Sequence, residues 1–240
     1  MATGCLSNLL SVPTGTRAPL PWHWQLSAHT VVIELPARYH VLGWAPMGGG
    51  LCRARVILNH QIALDGASAE SPRTSLTKVA RSLGFRPADT VAMMTGANIE
   101  LGACVTMRRQ GLSVSAWCTA GCSNALRVGD RATACRAGAG TINIAVAINQ
   151  PVNVAVLAEA LQLAVEARVL AVQQAGVVSV RSGLPATGTG TDCIVIAAPE
   201  SWGEKRSATI AYAGKHTELG ELIGRVVLKS CTIALDRRTK

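Results

Sequence analysis

Charge is scarce in this chain. Asp, Glu, Lys and Arg make up 15% of its 240 residues and aromatics 3%, against 49% hydrophobic. So low a charged share excludes an intrinsically disordered chain, and so few rings leave the core to Val, Ile, Leu and Ala. No apolar run approaches the roughly 20 residues a membrane span needs. Residues 1–11 lack a basic start and are interrupted by Gly4, Ser7 and Asn8, unlike a secretory signal. The expectation is a soluble, cytoplasmic protein with no stable membrane insertion. The formal net charge of +9 is dispersed, with tight groups only at Arg53/Arg55, Arg108-Arg109 and Arg237-Arg238-Lys240, and no aromatics interleave with them. That pattern argues for a solvated surface and no nucleic acid, while an anionic small molecule stays open.

Standard chemical fingerprints are missing too. Eight cysteines are present, yet the only close pair, Cys118 and Cys122, has no matching second pair, and four of the five histidines lie in the first sixty residues. Reduced thiols and no metal site are expected. The phosphate-loop pattern GxxxxGK[ST], a strand-borne GxGxxG and the serine elbow GxSxG are absent. No linker rich in Pro, Ser or charge divides the chain, which predicts an extended arm over residues 1–27, carrying Pro13, Pro19, Pro21, Trp22 and Trp24, and a single domain over 28–240.

What is there alternates first as strands. Segments 29–35 and 39–44, joined through Pro36, and 54–58 after the Gly48-Gly49-Gly50 turn read as three strands in succession, an antiparallel start. Ser71-Pro72 opens a helix over 72–83, with Leu76, Val79, Ala80 and Leu83 on one stripe. Strands are predicted at 90–95, 101–107, 113–119, 140–148, 177–180, 194–199 and 208–213, and helices at 154–175 and 217–235. Early strands without intervening helices favour an α+β fold, a single domain with a mixed, largely antiparallel sheet of eight or more strands and packed helices. In the 154–175 helix Glu159, Gln162, Glu166 and Gln173 share a narrow face and Arg168 projects opposite them. Glu166 is either part of a solvated stripe or looks into a cleft.

Two polar knots stand out. Thr187-Gly188-Thr189-Gly190-Thr191-Asp192 feeds directly into a buried-looking strand, where glycines allow close backbone approach and successive N–H groups can face an oxyanion. Lys215-His216-Thr217-Glu218 holds the only histidine after residue 60 and precedes the last helix. Ser123 and Asn124 occupy a third strand-end loop, readable equally as a capped turn. Asn143 sits alone in an apolar strand and must find partners as a packing peg or a ligand contact.

Taken together, the blocks TAGCSNALRVGD, GTINI, Glu166-Ala167-Arg168, SGLPATGTGTD and AGKHTELGELIGRVV resemble, in order from about residue 119 to 228, the signature segments of the adenosylcobinamide amidohydrolases, the CbiZ family. Two positions depart from that pattern: Cys122 in place of a small apolar residue and Arg168 in place of a lysine. The resemblance implies hydrolysis of the amide joining aminopropanol to the corrin ring, giving adenosylcobyric acid and 1-amino-2-propanol, with the corrinoid as substrate and no cofactor required. A homo-oligomer stays open.

For such chemistry the residues offer Lys215 and the N–H groups of residues 188–190 as oxyanion donors, His216 as the proton-transfer group, and Asp192 or Glu166 to orient it. Thr189 or Thr191 is the alternative to water as nucleophile, with water favoured because an internal threonine is a weak one. Ser123, Asn124, Asn143, Thr187, Gly188, Gly190, Thr191, Thr217 and Glu218 complete the expected substrate contacts. The competing readings are a helix-capping role for His216 and, for the whole chain, a non-catalytic binding protein for a phosphate-bearing or corrinoid small molecule.

Overall fold

A computed structural model describes residues 19–62, 70–132, 140–199 and 210–238. Its centre is an eight-stranded mixed sheet. β1 (His23–Ser27), β2 (Thr30–Gly43) and β3 (Gly50–Gln61) form an antiparallel meander, and β4 (Thr90–Thr95) adds in parallel to β3. β5 (Ala103–Arg109) and β6 (Leu112–Ala120) make a hairpin whose second strand pairs antiparallel with β8 (Ile142–Ile148). β10 (Cys193–Pro199) closes the sheet between β8, to which it is parallel, and β2, to which it is antiparallel. The order is β4-β3-β2-β10-β8-β6-β5, with β1 alongside β2. Two short strands, β7 (Ala125–Leu126) and β9 (Gly188–Thr189), pair separately. The α+β class and the mixed sheet agree with the sequence reading.

Three helices cover the sheet. α1 (Pro72–Ser82) begins at the predicted cap, where Ser71 Oγ accepts from Thr74 N, and buries Leu76 and Ala80 against Val56, Leu58 and Ala92. α2 (Val154–Gln174) and α3 (Glu218–Arg237) pack side by side on one face of β6, β8 and β10, capped by Asn153 and Thr217. Their Leu157, Leu163, Ile223 and Val226 meet Val114, Ile144 and Ile194. Each such side chain contributes about 1.5–3 kcal/mol when fully withdrawn from water. The opposite face carries Trp117, Ala145, Val195 and Ile33.

Four expectations change. Residues 19–27 are not an arm: β1 pairs with β2, Trp22 is buried, its Nε1 donates to Ser115 Oγ at 3.1 Å, and its ring stands edge-on to Trp117 at 6.4 Å. Tryptophan is too large an apolar surface to leave on an arm when a sheet face lies within reach. Residues 1–18 lie outside the described part. The strands at 29–35 and 39–44 are one strand with a register break between Glu34 and Tyr39, because Pro36 cannot donate to the ladder. The strand at 177–180 is a turn holding a single bridge from Val178 to Pro185. Of the strand at 208–213, residues 208 and 209 lie outside the described part, Ile210 makes one bridge to Val152, and Ala213 N is held by Glu159 Oε2 at 2.6 Å instead of by a neighbouring strand.

Candidate functional site

Asp192 is where the first knot closes. The residue stands just before β10, and its carboxylate accepts from Ile142 N at 2.9 Å, from Thr189 N at 2.9 Å, from the Thr189 hydroxyl at 2.5 Å and from the Arg168 guanidinium. A carboxylate offers about four acceptor positions, so this one is fully engaged. Its side chain is 5% exposed and that of Arg168 12%, which makes the pair a buried one. Arg168 reaches it from α2 across a glycine: a Cβ on Gly188 would sit 2.2 Å from Asp192 Oδ2 and 2.5 Å from Arg168 Nη1. The Gly/Thr-rich composition of the loop follows from that requirement. The Thr189 N–H points at Asp192, so it is not available as the oxyanion donor the sequence suggested.

Around this knot the fold gathers most of the expected binding residues at one end of the sheet. Thr191 Oγ1 lies 2.7 Å from Thr141 Oγ1 and donates to Gly140 O at 3.0 Å. Thr187 N and Oγ1 tie the loop to Leu126 O and Val128 N. Asn124 and Ser123 close over Gly140, where a Cβ would come within 2.6 Å of Asn124 Oδ1 and 2.8 Å of Ser123 Oγ; Gly190 lies beside Asn124. Asn143, one position into β8 from Ile142, donates from Nδ2 to Asn59 Oδ1 at 2.8 Å and to Met94 O at 2.9 Å, and Asn59 Nδ2 donates to Thr119 Oγ1 at 2.9 Å. The Oδ1 atoms of Asn124 and Asn143 are buried with no hydrogen-bond partner among the described residues. Two unpaired carbonyl oxygens in one region cost free energy unless a ligand donates to them.

The second knot is elsewhere. Lys215 Nζ pairs with Glu166 Oε2 at 2.6 Å, and this ammonium, with Gln162 Nε2 on the other oxygen at 3.0 Å, holds the Glu166 carboxyl below its usual range. Thr217 caps α3, and His216 is exposed with its ring folded against Gly214. His216, Lys215, Thr217, Glu218 and Glu221 line an open groove with Arg109 and Gln110 at the β5–β6 turn, where Arg109 chelates Glu221 at 2.7 and 3.0 Å. That turn lies beyond the Ile148 end of β8, since Val114 pairs with Ile148, whereas Asp192 binds the amide of Ile142. The six residue steps between those two ends of β8 span about 20 Å. His216 and Asp192 therefore do not form one constellation, and Glu166 serves Lys215 instead of orienting His216.

A third feature was missed by the sequence reading. On the sheet face opposite α2 and α3 a cavity of about 340 Å³ is walled by Trp24, Ile33, Met93, Cys104 and Trp117 and touches Asn59 and Thr119. Burial pushes the Cys104 thiol up to about 12 despite a hydrogen bond from Thr106. Arg168 also escaped selection as a site residue, although its isolation on the apolar side of α2 was a readable signal. Trp44, whose Nε1 donates to Asp192 O at 2.6 Å, left no such trace. Among the described residues, no group of three or more His, Cys, Asp or Glu side chains could hold a metal ion.

With this geometry in view, comparison with known proteins settles the family. Residues 21–240 match the sequence model of CbiZ, adenosylcobinamide amidohydrolase. The chain belongs to that family. It is 29% identical over 199 residues to the adenosylcobinamide amidohydrolase of Methanosarcina mazei, covering 80% of this chain and 88% of the relative. It is 27% identical over 231 residues to the uncharacterized protein MJ1613 of Methanocaldococcus jannaschii, covering 88% and 87%. Among solved structures, the PH0078 protein of Pyrococcus horikoshii OT3 aligns over 95% of this chain and 83% of its own at a TM-score of 0.42 and 10% identity, too distant to bear on fold or function. Among the described residues, no helix is long and apolar enough to cross a membrane.

Proposed function

We propose that this protein hydrolyses the amide joining aminopropanol to the corrin ring of adenosylcobinamide, releasing 1-amino-2-propanol and leaving adenosylcobyric acid. The observation that carries the reading is the family match over residues 21–240. The polar end of the sheet suits such a substrate, because a corrinoid is fringed with primary amides and the unpaired oxygen of Asn124 can accept from one of them.

Within that end, Thr189, Asp192 and Arg168 have the arrangement of a nucleophile, its proton acceptor and an orienting group. In this reading the Thr189 oxygen bonds to the amide carbon and its proton passes to Asp192. The C–N bond then breaks with that proton transferred to the departing amine. Water hydrolyses the threonyl ester, returning the hydroxyl and releasing the carboxylic acid. Thr191, Thr141 and Ser123 supply hydroxyl contacts to the bound substrate.

A second reading is favoured by the α3 groove, where Lys215, His216, Glu218 and Arg109 stand together: there His216 activates water and the cations stabilise the oxyanion. Incubating the protein with adenosylcobinamide and measuring released aminopropanol tests the reaction itself. An intact-mass search for a covalent threonyl ester in a rapidly quenched sample, with Thr189→Ala as control, separates the two mechanisms. Failure to form adenosylcobyric acid at stoichiometric protein overturns the proposal.

A further inference from the structure

The Thr189–Asp192 knot and the α3 groove do not use the cavity on the open sheet face, an apolar space lined by Trp24 and Trp117. Trp117 on β6 pairs with Ala145 on β8, and Asn143 is the next residue of β8 on that same face, opposite Thr119. Diagonal neighbours of this kind lie about 7 Å apart. Trp117 Nε1, an obligate donor, is buried with no partner among the described residues, and so is Asn143 Oδ1. The orientation of the Asn143 amide is fixed, because its Nδ2 donates to Met94 O, a group that can only accept. Trp117, in the cavity wall, thus carries an unpaired donor, and Asn143, its diagonal neighbour on the same sheet face, an unpaired acceptor.

We infer that this cavity is a purine-nucleoside subsite that receives the adenosyl group of the substrate, with Asn143 Oδ1 accepting from the exocyclic amine and Trp117 Nε1 donating to a ring nitrogen. The inference rests on the proposed substrate. At about 340 Å³ the space is near the small end of ligand pockets. It takes a nucleoside and not a corrin macrocycle, so only a projecting part of the substrate enters it. Adenine is flat, fits between apolar walls and carries a donor next to an acceptor on one edge. The row Thr141, Asn143, Ala145 runs along this face from the Thr191 hydroxyl to the cavity, so a molecule seated here extends toward the polar end of the sheet. Trp117, Asn143 and Cys104 become specificity-determining residues that read the upper axial group of the corrinoid.

Titration calorimetry with 5′-deoxyadenosine on the full chain tests this without any turnover. Saturable one-to-one binding is expected, weakened about tenfold by Trp117→Phe, which keeps the ring and removes one hydrogen bond, and abolished by Cys104→Phe, which fills the cavity from β5. A second arm compares kcat/KM for adenosylcobinamide with that for the cyano form; the ratio is expected to fall at least fivefold in both variants, with circular dichroism verifying that they fold. Absence of nucleoside binding, binding that both variants leave intact, or a ratio neither variant moves overturns the inference. If neither corrinoid is hydrolysed while the nucleoside binds and the variants weaken it, the subsite stands and the proposed reaction falls.

Discussion

Arg168 on α2 and Asp192 before β10 form a buried ion pair that passes over Gly188, and every acceptor position of the carboxylate is filled. Removing one partner leaves the other charge uncompensated away from water, a loss of about 3–5 kcal/mol. Asp192→Asn and Arg168→Met are each expected to lower the urea midpoint by that measure. The double variant is expected to lose less than the two single losses together, and a double-mutant cycle on equilibrium unfolding reads the coupling. Additivity within about 0.5 kcal/mol would contradict a direct pair.

Turnover distinguishes the two candidate sites. Thr189→Ala is expected to lower kcat by at least about 10²-fold while Thr189→Ser retains a measurable part of it, and His216→Ala to change kcat by less than about tenfold, short of the effect of losing a proton-transfer group. A folded His216→Ala enzyme with a loss of 10² or more, together with an active Thr189→Ala enzyme, moves the chemistry to the α3 groove.

His60 gives the stability a pH signature. It is half-buried, with Nδ1 2.8 Å from Thr30 Oγ1, and burial first, then the charge of His29, lowers its pKa from the ordinary 6.5. The unfolded chain therefore binds the proton more readily than the folded one. The stabilisation is fully present above 6.5 and is lost as pH falls from there to the folded value. Denaturation midpoints measured from pH 7.5 down to 5 should decline in the parent and decline less in His60→Gln.

Gly220, in the first turn of α3, has no room for a side chain: a Cβ there would lie 2.1 Å from Gly214 O and 2.4 Å from Ala213 O. Both are backbone atoms and cannot rotate away. Gly220→Ala should cost about 1–3 kcal/mol, as overpacking does. It should also raise amide hydrogen exchange in residues 213–217 more than elsewhere.

Chelation should leave activity intact. The cysteine and histidine spacing predicts no metal requirement, and hydrolysis assayed after exhaustive treatment with a chelator checks it. Activity lost on chelation and restored by one added metal would refute the expectation.

Most of the fold was legible because its signals are local. Ser71-Pro72 marks a helix start by its own chemistry, and the short apolar runs of β4 and β8 and the alternation that opens β6 need no tertiary information. Trp22 was misplaced because nothing in a run of prolines announces that Ser115 and Trp117, over ninety residues on, will receive it. The residues of the site were readable as polar interruptions of apolar runs, which is why Asn143, Thr189 and Asp192 were singled out. Their grouping was not, since proximity of two polar knots depends on which end of a strand each one meets. Lys215 and Asp192 each pair with a residue of α2, Glu166 and Arg168, yet their knots differ by the length of β8.

The position of β10 also bears on how the chain reaches its native state. β2 finds β1 and β3 within a few residues, but the second half of its other edge, Tyr39 to Gly43, pairs with β10, where Gly43 aligns with Val195 about 150 positions later. Until that strand has been made, β2 presents an open row of amides and carbonyls, and β8 lacks its parallel partner. Closing so long a loop is entropically slow, and the half-finished sheet offers an edge to any other chain. Refolding should be limited by insertion of this last strand into the middle of the sheet. Truncation before residue 193 should yield aggregates and not a smaller domain, and on the ribosome the first half of the protein must wait for the second.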